Sequence, residues 1–326
     1  MLLLVNTVCI LAAVFYAIRN DIPAAVAVPV ALAFLLEISI YCVAGFPCAR
    51  LYLEKTFSHK EIASIVCVVS VCPYLIYAIP TGVFSFFSAA KLSLLCALIA
   101  GLFVFVPTHK KGLCGVDLLV LMLLAYPMVS GVSTLFREFY ISPHPGVPNL
   151  SILGKMMLIP LGAIVFLSIR GVILTGFRFQ ISLAEFWVGV RNYIFFLLIG
   201  LPIVLATGFT SWDPTPVRDW TYVLVILGNI LGIYLFVALG EELFFRGLIQ
   251  NLLMQRGFSQ WRAQLLVSIL FGAVHLGRGT FPNWKYGFSS AVAGWFYGRA
   301  YSTNNSVPAS AVTHTLVVLT WRFMFE

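Results

Sequence analysis

The chain has 326 residues, of which 61% are hydrophobic and only 10% charged. Soluble domains carry about 25% charged residues, so a water-soluble globule is excluded. The net charge of +8 comes from Lys and Arg scattered over short loops, which fits membrane topology and argues against nucleic acid as a partner.

Lipid offers the backbone no hydrogen-bond partners, and no stretch alternates polarity as a barrel strand does. The expected class is therefore all-α, a polytopic membrane helical bundle. A window of about 20 residues predicts spans over 2–18, 23–46, 63–80, 86–106, 116–135, 151–169, 188–208, 221–256, 262–277, 286–302 and 307–325, or about eleven transmembrane helices in a range of roughly 9–12. The first segment lacks a basic n-region and a small-residue cleavage site, and reads as a retained helix. Pro80-Thr81-Gly82 interrupts an apolar run. The 221–256 segment is too long for one upright span, which implies a tilted, broken or double helix. Basic residues favour alternate loops (Arg50, Lys55 and Lys60; His109 to Lys111; Arg170 and Arg178; Arg256 and Arg262), which puts the N-terminus in the cytoplasm. With no eukaryotic retention or sorting tail, a bacterial inner membrane is the expected location.

The seven cysteines fall in roughly the first third, without metal-type spacing, and read as small apolar residues in helices. Lys91, Asp117 and Lys155 are expected at interfaces, and Glu37 as a buried, protonated or Ser/Thr-paired acid in the second span. Arg178 to Trp187 reads as an interfacial amphipathic segment, with Phe177, Phe179, Phe186 and Trp187 at headgroup level. Residues 1–180 form a helical region with no assigned role. The chemistry is expected in 181–326.

There, Gly240-Glu241-Glu242-Leu243-Phe244-Phe245-Arg246-Gly247 places three charges within an apolar run. Each costs about 2.5–3.5 kcal/mol at membrane depth, so such groups face a bundle interior and pair. Glu242 and Arg246 are spaced i,i+4 with the acid first, the favourable order. Glu241 lies about 100° round the helix, outside that pair. His275 and His314 are further polar residues in apolar helices, and one shared polar site is the economical reading of all five. One chemistry is a metal site, since His and carboxylate bind zinc, although the helical H-E-x-x-H signature is absent. Another is metal-free hydrolysis, with Glu241 as the base, His275 orienting the water and His314 at the oxyanion. A proton relay in a carrier is a third, weakened by the missing inverted repeat. The residues alone leave the first two open.

Glu241-Glu242-x-x-x-Arg246, Phe271-x-x-x-His275 and a His in the last helix, His314, resemble the CAAX-protease and bacteriocin-processing family of glutamate-type intramembrane endopeptidases. Gly294-Trp295-Phe296-Tyr297-Gly298-Arg299 and Asn305 to His314 carry the resemblance further, over about 180–326. It implies a peptidase without cofactor or metal, acting on a membrane-associated peptide or protein in lipid. In this reading Glu241 activates water with His275 as partner, Glu242, Arg246 and Phe271 support the site, and His314 helps to form the oxyanion hole. The family usually has Asn or Asp four residues after that last His; here it is Val318. Loss of one oxyanion donor slows catalysis by about 10²–10³-fold, so a weakly active or inactive scaffold or immunity protein on the same fold is the alternative.

Overall fold

The computed structural model describes residues 2–106, 111–129, 134–215 and 221–325. Thirteen helices occur among them: α1 Leu2–Arg19, α2 Ala24–Gly45, α3 Pro47–Thr56, α4 His59–Ala78, α5 Phe86–Phe105, α6 Gly115–Ala125, α7 Leu135–Phe139, α8 Ser151–Ile169, α9 Leu183–Ala206, α10 Tyr222–Gln255, α11 Gln260–Val274, α12 Trp284–Asn304 and α13 Val307–Met324. No strand is present among the described residues beyond an isolated bridge between Trp212 and Phe325. The protein is an all-α membrane bundle.

Length and composition single out part of the expected set of spans. Six helices among the described residues are both long and apolar enough to cross a membrane: α2, α4, α5, α8, α9 and α10. α6 has 11 residues and α11 has 15, short of the ~20 that a ~30 Å hydrocarbon layer needs. α12 and α13 are long enough but more polar, because they carry Ser289, Ser310, Thr313, His314 and Thr315 inward and Lys285, Arg299 and Arg322 besides. The long 221–256 segment is a single continuous helix of 34 residues, neither broken nor doubled. At 1.5 Å per residue it exceeds the hydrocarbon thickness by roughly 20 Å.

The chain divides into two compact units. The first comprises Met1–His109, Cys114–Met128 and Val132–Gly171. In it α2, α4, α5 and α8 pack together, with α1 against α2. Ser58 and Glu61 form a reciprocal cap that satisfies orphan N–H groups at the start of α4. Asp117, in the first turn of α6, is fully buried, accepts from the Cys114 N–H at 2.9 Å and pairs with Arg170 Nε at 2.9 Å. Lys91 and Lys155 are exposed.

The second unit comprises Lys110–Leu113, Val129–Gly131 and Val172–Glu326. α11 packs on α12, α12 on α13, and α13 on α9. Residues 172–182 are not helical; α9 starts after Ser182, whose hydroxyl caps the Glu185 N–H, so the segment Arg178 to Trp187 is part loop and part first turns of α9. Phe177 is buried in the protein. The cause is a close backbone approach: Gly176, at φ +67°, lies against the Asn305 carbonyl, where a Cβ would collide, and its own carbonyl accepts from the Val307 N–H. Arg178 completes this corner with a 2.7 Å ion pair to Glu185, which also accepts from Ser306.

Gly189 sets how closely α9 approaches α13, the helix that carries His314. Thr313 Oγ1 donates to the Gly189 carbonyl at 2.9 Å. A Cβ at 189 would sit 2.6 Å from Val312 Cβ and 2.7 Å from the Ala309 carbonyl oxygen. Gly189→Ala is therefore expected to cost about 1–3 kcal/mol by overpacking, read as a lowered midpoint of denaturation in lipid or detergent. An unchanged midpoint would show that α13 is free to shift.

Candidate active site

Four helices of the second unit meet at Glu242. From Leu243 to Gln250, α10 widens into π-helical turns, a geometry found most often at functional sites. It carries Glu241, Glu242 and Arg246. α11 ends at His275, its C-cap, with Phe271 one turn earlier. α12 brings Gly294 and Tyr297, and α13 brings Ser310 and His314.

Glu242 is completely buried, and both of its oxygens are engaged. Oε1 accepts from Arg246 Nη1 at 3.0 Å and His314 Nδ1 at 2.7 Å; Oε2 accepts from the Ser310 hydroxyl at 2.5 Å. Arg246 Nη2 donates to the Gly294 carbonyl at 2.7 Å. The guanidinium lies 4.8 Å from the Phe271 ring centre, 5.3 Å from Tyr297 and 5.7 Å from Phe245. These rings replace water around a buried cation, each contact being worth up to ~2 kcal/mol when desolvated. Ion pair, hydroxyl and aromatic wall go far toward the demand that a buried charge be paired and hydrogen-bonded, although Arg246 Nε has no hydrogen-bond partner among the described residues.

Glu241 is different. Its side chain keeps 25% of its exposure, and its Oε2 lies 3.9 Å from His314 Nε2. Among the described residues, no other basic group comes within ion-pair distance of it. The two adjacent carboxylates thus have separate surroundings, one locked in a network and one part-exposed with an imidazole in front of it.

The ring nitrogens can be assigned from their partners. A carboxylate only accepts, so His314 Nδ1 carries the hydrogen given to Glu242, and Nε2 faces Glu241. The ring stacks on Tyr297 at 4.5 Å and 9°, with Phe271 edge-on at 5.9 Å. His275 Nδ1 lies 2.7 Å from the Phe271 carbonyl, which likewise only accepts, leaving Nε2 as the free acceptor of the neutral ring. That ring is held between Phe271 at 4.6 Å and Tyr286, stacked at 5.8 Å and 10°. Glu241 is near enough for its charge to act on His275. Phe271 touches both histidines and Arg246, so it spaces the site from within.

The structure brings together all six residues singled out from the sequence. It adds three participants that the sequence did not show: Ser310, Tyr297 and the Gly294 carbonyl. Ser310 stands four residues before His314 on the same helical face, a spacing that could have pointed to it. Tyr297 read only as one more aromatic in an apolar helix. Val318, one turn beyond His314, is partly buried. Among the described residues, no three His, Cys, Asp or Glu side chains gather as a metal-binding group.

No curated protein and no solved structure matches the chain. Residues 221–320, the stretch holding every side chain of this site, match the family model described as type II CAAX prenyl endopeptidase, Rce1-like, and in that stretch the chain is similar to this family of membrane endopeptidases.

Proposed function

We propose that the protein is a metal-free, glutamate-dependent intramembrane endopeptidase that cleaves a membrane-associated peptide or protein. The observation that carries this reading is the division of labour between neighbours: Glu242 is consumed by Arg246, Ser310 and His314, while Glu241 remains part-exposed opposite His314. Glu241 takes a proton from a water molecule, and the resulting hydroxide adds to the scissile carbonyl carbon. His275 Nε2, the free acceptor, orients that water. His314 faces the developing oxyanion, and since Nδ1 is committed to Glu242, Nε2 donates only when the ring holds both protons. Collapse of the tetrahedral intermediate breaks the C–N bond, and the amine leaves with the proton that Glu241 returns. Glu242, Arg246 and Phe271 fix the positions of these groups.

Residues 181–326 act as the protease core and the helices of 1–180 as a separate region, in a bacterial inner membrane with the N-terminus in the cytoplasm. The name of the matched family refers to CAAX prenyl substrates, so a lipid-modified C-terminal peptide is the first substrate class to try. The experiment is hydrolysis of membrane-embedded peptides by the purified chain in heavy-oxygen water. One labelled oxygen in the new carboxylate, formed by wild type and not by Glu241→Gln, is the expected result. Product formed equally by both proteins would sink the mechanism. The second reading, a non-enzymatic scaffold or immunity protein, draws on Val318, which cannot donate a hydrogen bond. It requires that Glu241→Gln leave the cellular phenotype intact.

A further inference from the structure

His275 works from the loose end of a helix. It is the C-cap of α11, where the last turn closes through a 3.0 Å bond from its own N–H to the Gly272 carbonyl. Helix ends fray, and an imidazole there can swing between rotamers. Yet Nε2 must keep one direction if it is to orient a water beside Glu241. The Phe271 carbonyl fixes Nδ1 from within the same helix. The rest of the support comes from outside it.

That support is Tyr286, in the first turn of α12. Its ring lies parallel to the imidazole at 5.8 Å and 10°, the offset arrangement in which flat rings attract. Arg278 ties Tyr286 down. Its N–H donates to the His275 carbonyl at 3.1 Å, and its guanidinium reaches back so that Nη1 donates to the Tyr286 hydroxyl at 3.0 Å. The same guanidinium lies 5.5 Å from the ring centre. Asn283 Oδ1 caps the Tyr286 N–H at 3.0 Å, while Asn283 donates through Nδ2 to the Arg278 carbonyl and through its N–H to the Leu276 carbonyl. The turn between α11 and α12 is thus bonded to itself around the stacked pair.

A residue far back in the chain closes the arrangement. Phe209 meets Tyr286 edge-on at 5.3 Å and 83°. It belongs to the stretch after α9, which runs extended along the end of α13: the Asp213 and Thr215 N–H groups donate to the Met324 and Phe323 carbonyls at 3.0 and 2.9 Å. The neighbouring Gly208 carbonyl accepts from Lys285 Nζ at 3.1 Å. On its other side Phe209 stacks on Trp321 at 5.1 Å and 23°, about two turns beyond His314 on α13. Phe209 is therefore a wedge between the helix that holds the His275 ring and the helix that carries His314.

We propose that Tyr286 is a positioning residue of this site, holding the His275 ring so that Nε2 faces the attacking water, with Phe209 as the wedge that holds Tyr286. The proposal rests on the general-base reading above. Neither ring touches the reacting atoms; both act through His275. A misplacement of about 1 Å can cost 10²-fold in rate, so rings that fix one imidazole have leverage over the reaction without entering it.

The test uses the full chain in lipid nanodiscs and the peptide hydrolysis assay. Tyr286→Leu should lower kcat by about 10–10²-fold, with KM and Tm close to wild type. Tyr286→Phe keeps the ring and loses only the Arg278 bond, and should recover most of the rate. Phe209→Ala should reproduce part of the Tyr286→Leu loss. The decisive comparison is made in a His275→Ala protein, where Tyr286→Leu should slow the reaction no further, because nothing remains to be positioned. An equal loss in both backgrounds, or a loss confined to KM, would overturn the proposal. Activity that survives Glu241→Gln would remove the base, yet the comparison between 286 and 275 would still be read, so the two failures are distinguishable. A second measurement needs no turnover. In a chain carrying carbon-13 histidine, the His275 ring resonance, identified by its loss in His275→Ala, should move in Tyr286→Leu and hold in Tyr286→Phe. A resonance unmoved by Tyr286→Leu would sink the proposal even in a preparation that cleaves nothing.

Discussion

Glu241→Gln is expected to lower the rate of peptide hydrolysis by about 10²–10⁴-fold, the usual contribution of a general base, while shifting stability by no more than about 0.5 kcal/mol. The amide keeps the shape of the carboxylate but cannot take a proton from water. Stability is spared because Glu241 is part-exposed and its nearest ionisable neighbour, His314 Nε2, stands at 3.9 Å, beyond hydrogen-bonding distance. The pairing of a large kinetic loss with a small thermodynamic one separates a catalytic carboxylate from a structural one. Single-turnover cleavage and a denaturation curve on the same preparation measure both. A rate within a factor of a few of wild type would remove Glu241 from the chemistry.

Arg246→Met should do the reverse, with its main effect on folding. Removing one partner of a buried ion pair typically costs about 3–5 kcal/mol, since the other charge stays behind uncompensated. Glu242 would keep Ser310 and His314 but lose its cation, and the Gly294 carbonyl would lose its donor. Methionine fits among Phe245, Phe271 and Tyr297, so a simple cavity would not account for the loss. The discriminating protein is the double variant Glu242→Gln with Arg246→Met, which should recover much of the stability, because both charges are gone. A double variant no more stable than the single one would mean that the guanidinium serves by packing and not by charge.

The fold class was legible because a chain this poor in charge has few places to put polar backbone except in helices buried in lipid. The site was legible for the complementary reason: ions are so costly there that Glu241, Glu242, Arg246, His275 and His314 stand out against an apolar background. What stayed hidden depended on distances between helices. The spacing of Ser310 four residues before His314 puts it on the same face, but that its hydroxyl meets Glu242 depends on how α13 approaches α10, which the residues do not give. Phe177 looked like an interfacial aromatic because its burial follows from the contact of Gly176 with Asn305, far along the chain. α12 and α13 stand out less as spans because helices that carry polar residues toward a site lose the uniform hydropathy by which a span is recognised. The pairing of Asp117 with Arg170 was hidden because the two are remote in sequence.

The π-helical stretch of α10 imposes a constraint of phase. Such turns hold roughly one residue more than the 3.6 of an α-helix, so everything before Leu243 is rotated relative to everything after Gln250. Deleting any single residue between them would let the stretch relax to α geometry and swing Glu241 and Glu242 by about 100° away from Gln250 and Asn251, which tie the far end of the helix to Ser302 and the Ile173 carbonyl. The reading frame of the helix across those eight residues cannot change without moving the two carboxylates.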